Sequence, residues 1–479
     1  MPLILPGNVG SATAATGFNV ANSVRMNAAD SAKMTIDFSG AGNQKKFTIS
    51  CWVKRARITP DASQTILSNY ADVNNFGNFT LNTSDKLSFV NRDGGTFNTN
   101  IATTRLFRDP SSFYHVVLSV DTTQSTDTNR IKMYVNGVQE TLFSTSTYPD
   151  QNTDLKFNTT ATTNFGSWSG SAQYADGYYS ELVFIDNAQL AADQFGEFDD
   201  SGIWKPLESV ADLTFGTNGF YLDFKDSANL GNDANGGTDL TEVNLAATDQ
   251  SIDTCTNNFC VMNPLDNFYG AATFAEGNLQ ITTRNTGYSY NTATFGVASG
   301  KWYWEIKYSA QTTADSSTNQ FMPGIAKSLT ISTTDHMGYR NTSYSYQSGG
   351  NLFYNNGTTS SGYDAYGIGD IAGIALDIDN LRLYVSKNGT FQNSADPAGG
   401  SGGYTITAPD AAVTDTGFYF PAFGDGNNND IKVGQLNFGS PIHAISSGNT
   451  DGNGFGNFEY AVPSGFFSLC TKNLAEYGG

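Results

Sequence analysis

Three histidines, four cysteines and a few short acidic strings are the residues of this 479-residue chain whose types could do chemistry. The string GEFDDSG places Glu197, Asp199 and Asp200 close together. Retaining glycoside hydrolysis needs two carboxylates about 5–5.5 Å apart, one as acid and one as nucleophile. Here position 202 is Gly where a further acid would be wanted, and the string reads as a turn after a helical segment. His115, His336 and His443 lie far apart and have no serine or cysteine partner motif. His115 alternates with Phe113 and Val117, which reads as a buried histidine in a core strand. No phosphate-binding glycine loop and no H-E-x-x-H pair occurs. The expected catalytic set is therefore empty.

Cys255 and Cys260 in DTCTNNFC lack the second Cys or His pair of a zinc site. They would form a local disulfide or, as a reducing compartment favours, stay free. The loop DGNNND, with Asp425 and Asp430, and the loop DGNG at 451–454 offer the oxygen donors that Ca2+ prefers. The same Asp/Asn/Gly composition makes ordinary turns, which is the reading favoured here. GNDANGGTDLTE fails the calcium-loop pattern counted from Asp233, with Thr238 at its sixth position and Asn244 at its twelfth.

Aromatic residues offer a different chemistry, recognition. Residues 337–367 hold Tyr339, Tyr344, Tyr346, Tyr354, Tyr363 and Tyr366 among Ser, Gly and Asn. That mixture combines rigid ring area with adjustable hydrogen bonding, and it suits sugars as well as proteins. Trp168 and Tyr174, in FGSWSGSAQYADGYY, stand in a similar setting. The competing reading is that alternate tyrosines fill strand faces.

The elements that position these residues read as strands. The chain has 50 Gly, 24 Tyr and 33 Phe with only 15% charged residues, as many short strands and turns require. KFTISCWVKR alternates Phe47, Ile49, Cys51 and Val53 against Thr48, Ser50 and Trp52. RIKMYVNGVQE is nearly repeated as NLRLYVSKNGTFQ, each a half-buried strand meeting an Asn-Gly pair that tolerates positive φ. The reading is all-β: two tandem antiparallel sandwiches, with an arm at 1–24, an ordered linker at 201–270 that packs one strand (GFYLDF) on a neighbouring sheet, and a tail at 446–479. The sandwiches then span 25–200 and 271–445. In the arm, Leu3, Ile4 and Leu5 are the anchors for docking on the chain's own sheets, a sister subunit or another protein. The net charge of −20 argues against a nucleic-acid partner. No apolar run approaches the ~20 residues needed to span a membrane, and the first residues lack the basic start of a signal peptide.

CWVKR, FYHVVLSVD…NRIKMYVNGVQE and GYYSELVFIDNAQL, over about 25–200, resemble the laminin-G-like branch of the concanavalin A-type lectin/glucanase sandwiches (jelly rolls). GKWYWEI, GIGDIAGIALD, LRLYVSKNGTF, YFPAF and LNFG, over about 271–440, resemble a SPRY domain. The lectin/glucanase resemblance implies, for a hydrolase, an E-x-D-x-x-E strand that GEFDDSG does not complete. The SPRY resemblance implies partner binding by loops at one end, where the tyrosines lie. The tandem, opened by MPLILPGNVGSATA and closed by PSGFFSLCTKNL, resembles virion structural proteins of marine tailed bacteriophages. This implies a fibre, adhesin or capsid-surface component of the virion, assembled in the host cytoplasm. Its implied partners are other virion proteins, sister copies and host-surface glycans; a decoration or spacer role is the alternative.

Overall fold

A computed structural model describes residues 17–269, 271–284, 287–312, 320–327, 335–409, 416–426 and 430–478. Leu3, Ile4 and Leu5 lie outside them. The chain divides into two compact units between Asn257 and Asn258. Both are β-sandwiches, and among the described residues the α-helix is Thr471–Tyr477.

In the first unit, sheet I centres on Lys46–Arg55, between Tyr114–Asp121 and Gly177–Asp186. Sheet II runs, in spatial order, Phe143–Thr147, Thr96–Thr103, Leu87–Asp93, Asn75–Leu81, Gln64–Asp72, Thr162–Phe165, Lys33–Ile36 and Thr241–Val243. Strand alternation sends Phe47, Ile49, Cys51 and Val53 inward, where they meet Leu67, Phe79 and Phe89 of sheet II. Phe47 stacks on Phe157 at 5.1 Å. This inner layer is one continuous buried cluster.

The second unit repeats the architecture. Sheet III runs Met262–Tyr269, Ser289–Ala293, Phe420–Asp425, Phe321–Ala326, Ser343–Gln347, Asn351–Tyr354 and Gly357–Ser361. Sheet IV is built on Lys301–Gln311, flanked by Ile371–Asp377 and Lys432–Asn437. Phe321 of sheet III stacks on Tyr308 of sheet IV at 4.3 Å.

The two near-repeats occupy equivalent corners. Asn136 and Gly137 have φ of 47° and 81°, and Asn388 and Gly389 have 47° and 78°. In both, the Asn side chain accepts from the backbone N–H that opens the preceding strand: His115 N at 2.8 Å and Ile371 N at 2.9 Å. Only a residue tolerant of positive φ with a short acceptor side chain does both jobs.

Two expected boundaries are corrected. GFYLDF packs a strand on a neighbouring sheet as expected, but residues 201–257 belong to the first unit instead of linking two units. Phe220–Leu222 pairs with Gly177–Asp186, Thr241–Val243 with Lys33–Ile36, and Gln250–Ser251 with Ser23–Met26, all in the first unit. Each short strand borrows the free edge of a neighbour. Buried Phe224, Leu230 and Leu240 and the Lys54–Asp253 ion pair (2.8 Å, both buried) fix the segment. Met262–Tyr269 is instead an edge strand of the second unit. The tail, residues 446–478 of the described chain, is part of the second unit's fold. Phe458 and Phe466 pack on Tyr303 and Tyr384, and Phe467–Ser468 runs parallel to Lys301–Gln311.

Candidate functional site

A sheet in a two-layer sandwich buries one face in the core and must cover or solvate the other. Sheet I covers its outer Val117, Val183 and Ile185 with Ala192, Phe195, Val210 and Phe215. Sheet III covers Tyr290, Met322 and Ala422 with Met337. Sheet IV covers Tyr303, Ala375 and Tyr384 with Phe458 and Phe466. Sheet II is covered only in part: the loop after Thr162–Phe165 lays Trp168 over Tyr70 and the buried Phe76, while Phe97 stays 48% exposed.

On that face the register places Tyr70 opposite Phe76, Phe76 opposite Arg92, and Arg92 opposite Phe97. The four side chains form one row across four adjacent strands. Trp168, from the walling loop, meets Tyr70 and Phe76 edge-on, each at 5.1 Å. Phe97 lies 6.2 Å from Phe76 and is 48% exposed. Arg92 rests its guanidinium over Phe97 at 5.1 Å. A parallel row, Ser68, Asn78, Val90 and Asn100, lies beside it. Neither row contains a carboxylate. Ser68 and Asn78 are buried under the walling loop and bonded to it, so the face offers the exposed Phe97 ring and the Asn100 amide, which can seat the C–H face of a sugar or an apolar side chain and hydrogen-bond its rim.

Of the residues expected from the sequence, Trp168 belongs to this row; its Nε1 is buried without a partner. Tyr174 is half-buried, and its hydroxyl donates to Gly170 O at 3.3 Å within the same loop. Tyr344, Tyr346 and Tyr366 are buried, which corrects the expectation of a binding role. Tyr346 OH donates to Asp364 O (2.7 Å) and Tyr366 OH to Tyr346 O (2.8 Å). Tyr344 stacks on Tyr354 at 4.3 Å, and burial raises its hydroxyl to about 12. Here the strand-filling reading wins. Tyr339 and Tyr363 are half-buried, the first under Arg340 at 5.1 Å, the second edge-on to Tyr346 at 6.0 Å. Tyr70, Phe76 and Phe97 were missed: their neighbourhood follows from strand register, while their sequence positions lie far apart.

The acidic strings serve structure. After the 3-10 turn Ala192–Gln194, Gly196–Phe198 and Trp204–Pro206 form a hairpin whose turn holds Asp199 and Asp200. Asp199 caps its turn by accepting from Ser201 N and Ile203 N, each at 2.9 Å, and exposed Glu197 faces Lys205 at 3.3 Å. Asp200 lies in that turn. Asp425 and Asp430 are buried, and Asp430 pairs with the buried Lys432 ammonium at 3.2 Å. Burial pushes Asp425 up to about 7 against the pull of Thr283, the Ser289 N–H and Lys432. That corner holds a lysine cation, and a Ca2+ ion needs six or more oxygens. The described residues contain no group of three acidic, His or Cys side chains fit for a metal. In the DGNG loop, Asp451 accepts from Ser468 N and Oγ and from Asn473 Nδ2, at 2.7–2.9 Å, locking the C-terminal segment down. All four cysteines are free.

His115 does have a serine neighbour that the sequence did not show. Ser50 Oγ lies 2.8 Å from Nε2, and Trp204 Nε1 donates to Nδ1 at 3.0 Å. The indole N–H can only donate, so the neutral ring carries its proton on Nε2 and donates to Ser50. A nucleophilic serine needs the reverse, a ring that accepts its proton. Burial also drives the His115 pKa down to about 3.

Residues 28–193 match the laminin-G family profile described as the Concanavalin A-like lectin/glucanases superfamily. No curated protein matches the chain. The SPRY domain of human HERC1 is a structural neighbour at 16% identity, with 36% of this chain and 96% of that chain covered and a TM-score of 0.28. The first unit thus has the concanavalin A-like fold, and it carries the aromatic row.

Proposed function

We propose that the chain is a structural protein of a phage virion, of fibre, adhesin or capsid-surface type, that displays its sandwiches to bind host-surface glycans. The observation that carries the binding half is the row Tyr70, Phe76, Arg92 and Phe97 with Trp168, on a sheet face that leaves the Phe97 ring 48% exposed beside Arg92. The virion half rests on the resemblance of the tandem and its end strings to tailed-phage structural proteins. On this reading the protein resides in the virion, assembled in the host cytoplasm. It contacts other virion proteins and sister copies, takes no nucleic acid, enters no membrane and catalyses no reaction. The absence of a catalytic role is supported by the Ser50–His115 tautomer and by the structural duties of Glu197 and Asp199.

Antibody labelling of intact particles and a glycan array of the full chain test the two halves separately. Label on the particle together with saccharide binding is expected. Label without any saccharide binding would leave a decoration protein, and no label would refute the virion role.

A further inference from the structure

The sheet II face is unusual in this chain for its charge. The sequence holds 45 acidic against 25 basic residues, yet the two outer rows carry one arginine and no acid. Arg92 is also held in place. Its Nε donates to Gly95 O at 3.0 Å, its Nη1 donates to Val73 O at 2.9 Å, and its plane lies over Phe97. Two backbone carbonyls and a ring fix the guanidinium without neutralising it, and Nη2 finds no acceptor among the described residues. The acids nearest in the chain are engaged elsewhere. Asp72 accepts from Asn74 N at 2.7 Å and Asn75 Nδ2 at 3.0 Å, and Asp93 pairs with Lys156 at 3.1 Å.

An arginine whose rotamers are already fixed loses little entropy when it takes a planar anion. Its remaining N–H groups match a carboxylate, and charge-assisted hydrogen bonds are about twice as strong as neutral ones. A chain of −20 overall repels a diffuse polyanion at long range. What fits is a ligand with localised carboxylates on an otherwise neutral, ring-shaped body.

We infer that the saccharide taken by this face is acidic, a uronic-acid-type sugar whose carboxylate meets Arg92 and whose ring lies against Phe97. This rests on the glycan-binding reading above and specifies its ligand. No bond is made or broken.

The experiment is an array of the full chain that pairs carboxylate-bearing oligosaccharides with their methyl esters, followed by calorimetric titration of the best pair. The acid is expected to bind about tenfold or more tighter than its ester, since a hydrogen bond to a charged group is worth roughly 1.5–3 kcal/mol. Arg92→Gln should remove that preference, bringing acid and ester to the same affinity. Arg92→Lys, which keeps the charge and loses the fork, should retain part of it and controls for folding of the Val73–Gly95 region. Equal binding of acid and ester, or an Arg92→Gln chain that still prefers the acid, would overturn the acidic-sugar assignment while leaving saccharide binding in place. No binding of any saccharide, charged or neutral, would overturn the glycan reading itself.

Discussion

Glu181 offers a sharp test of how the first unit is put together. The strand Gly177–Asp186 bulges between Ser180 and Val183, and Glu181 sits in the bulge with φ of 51°, a left-handed conformation unusual for this residue. Its carboxyl is buried and accepts from the Tyr221 hydroxyl. Burial, with Asp223 adding, pushes its pKa from 4.5 up to about 7 against the pull of Tyr221 and Lys225. An acid whose folded pKa is raised holds its proton in the folded chain where the unfolded chain has lost it. Stability is therefore full below pH 4.5 and falls as the pH rises through 7. At ~1.4 kcal/mol per pKa unit, the shift from 4.5 to about 7 removes about 3 kcal/mol. Glu181→Gln keeps the shape and the Tyr221 partner without the charge. Urea unfolding followed by tryptophan emission at pH 5 and pH 8 reads the effect. The variant should match the native chain near pH 5 and exceed it by about 3 kcal/mol at pH 8. Asp266 and Asp425, also raised to about 7, lie in the second unit and cancel in the difference. An identical pH dependence in the two proteins would refute a buried, protonated Glu181.

Gly137→Ala should destabilise the first unit by more than about 2 kcal/mol, because φ is +81° and the new Cβ would lie 2.3 Å from the Trp204 ring. Gly94→Ala, with φ +55° and open space around it, should cost only about 1 kcal/mol by the same denaturation assay. Asp85→Ala strips buried Arg55 of its carboxylate (2.9 Å) and also frees Arg108 and the Thr59 N–H, so a loss of about 3–5 kcal/mol is expected in thermal or urea unfolding.

Much of the fold could be read from local patterns, and the site mostly could not. Alternation in KFTISCWVKR assigns the inward face correctly, because a strand's period depends on nothing distant. The Asn-Gly corners were legible because positive φ restricts which residues fit. Within 201–257 the strand in GFYLDF was legible, while Thr241–Val243 and Gln250–Ser251 escaped because strands of two or three residues carry no periodicity; only the free edges beside them make them strands. The same gap explains the tyrosines. Composition flags Tyr344, Tyr346 and Tyr366 for recognition, but their alternation on one strand and a crossing loop sends them inside. Tyr70, Phe76 and Phe97 become one row only when three successive hairpins set their registers. Trp168, seen as a loop aromatic, was legible by type though not by neighbours.

Titration of Phe97→Ala against the saccharide that the native chain binds best tests the central claim most directly. Phe97 is 48% exposed, so its truncation leaves the core intact and any change reports on the face itself. The expected result is a loss of about tenfold or more in affinity, as truncation of an aromatic anchor gives, with an unchanged unfolding midpoint. Native affinity in the Phe97→Ala chain would contradict the assignment of saccharide binding to sheet II.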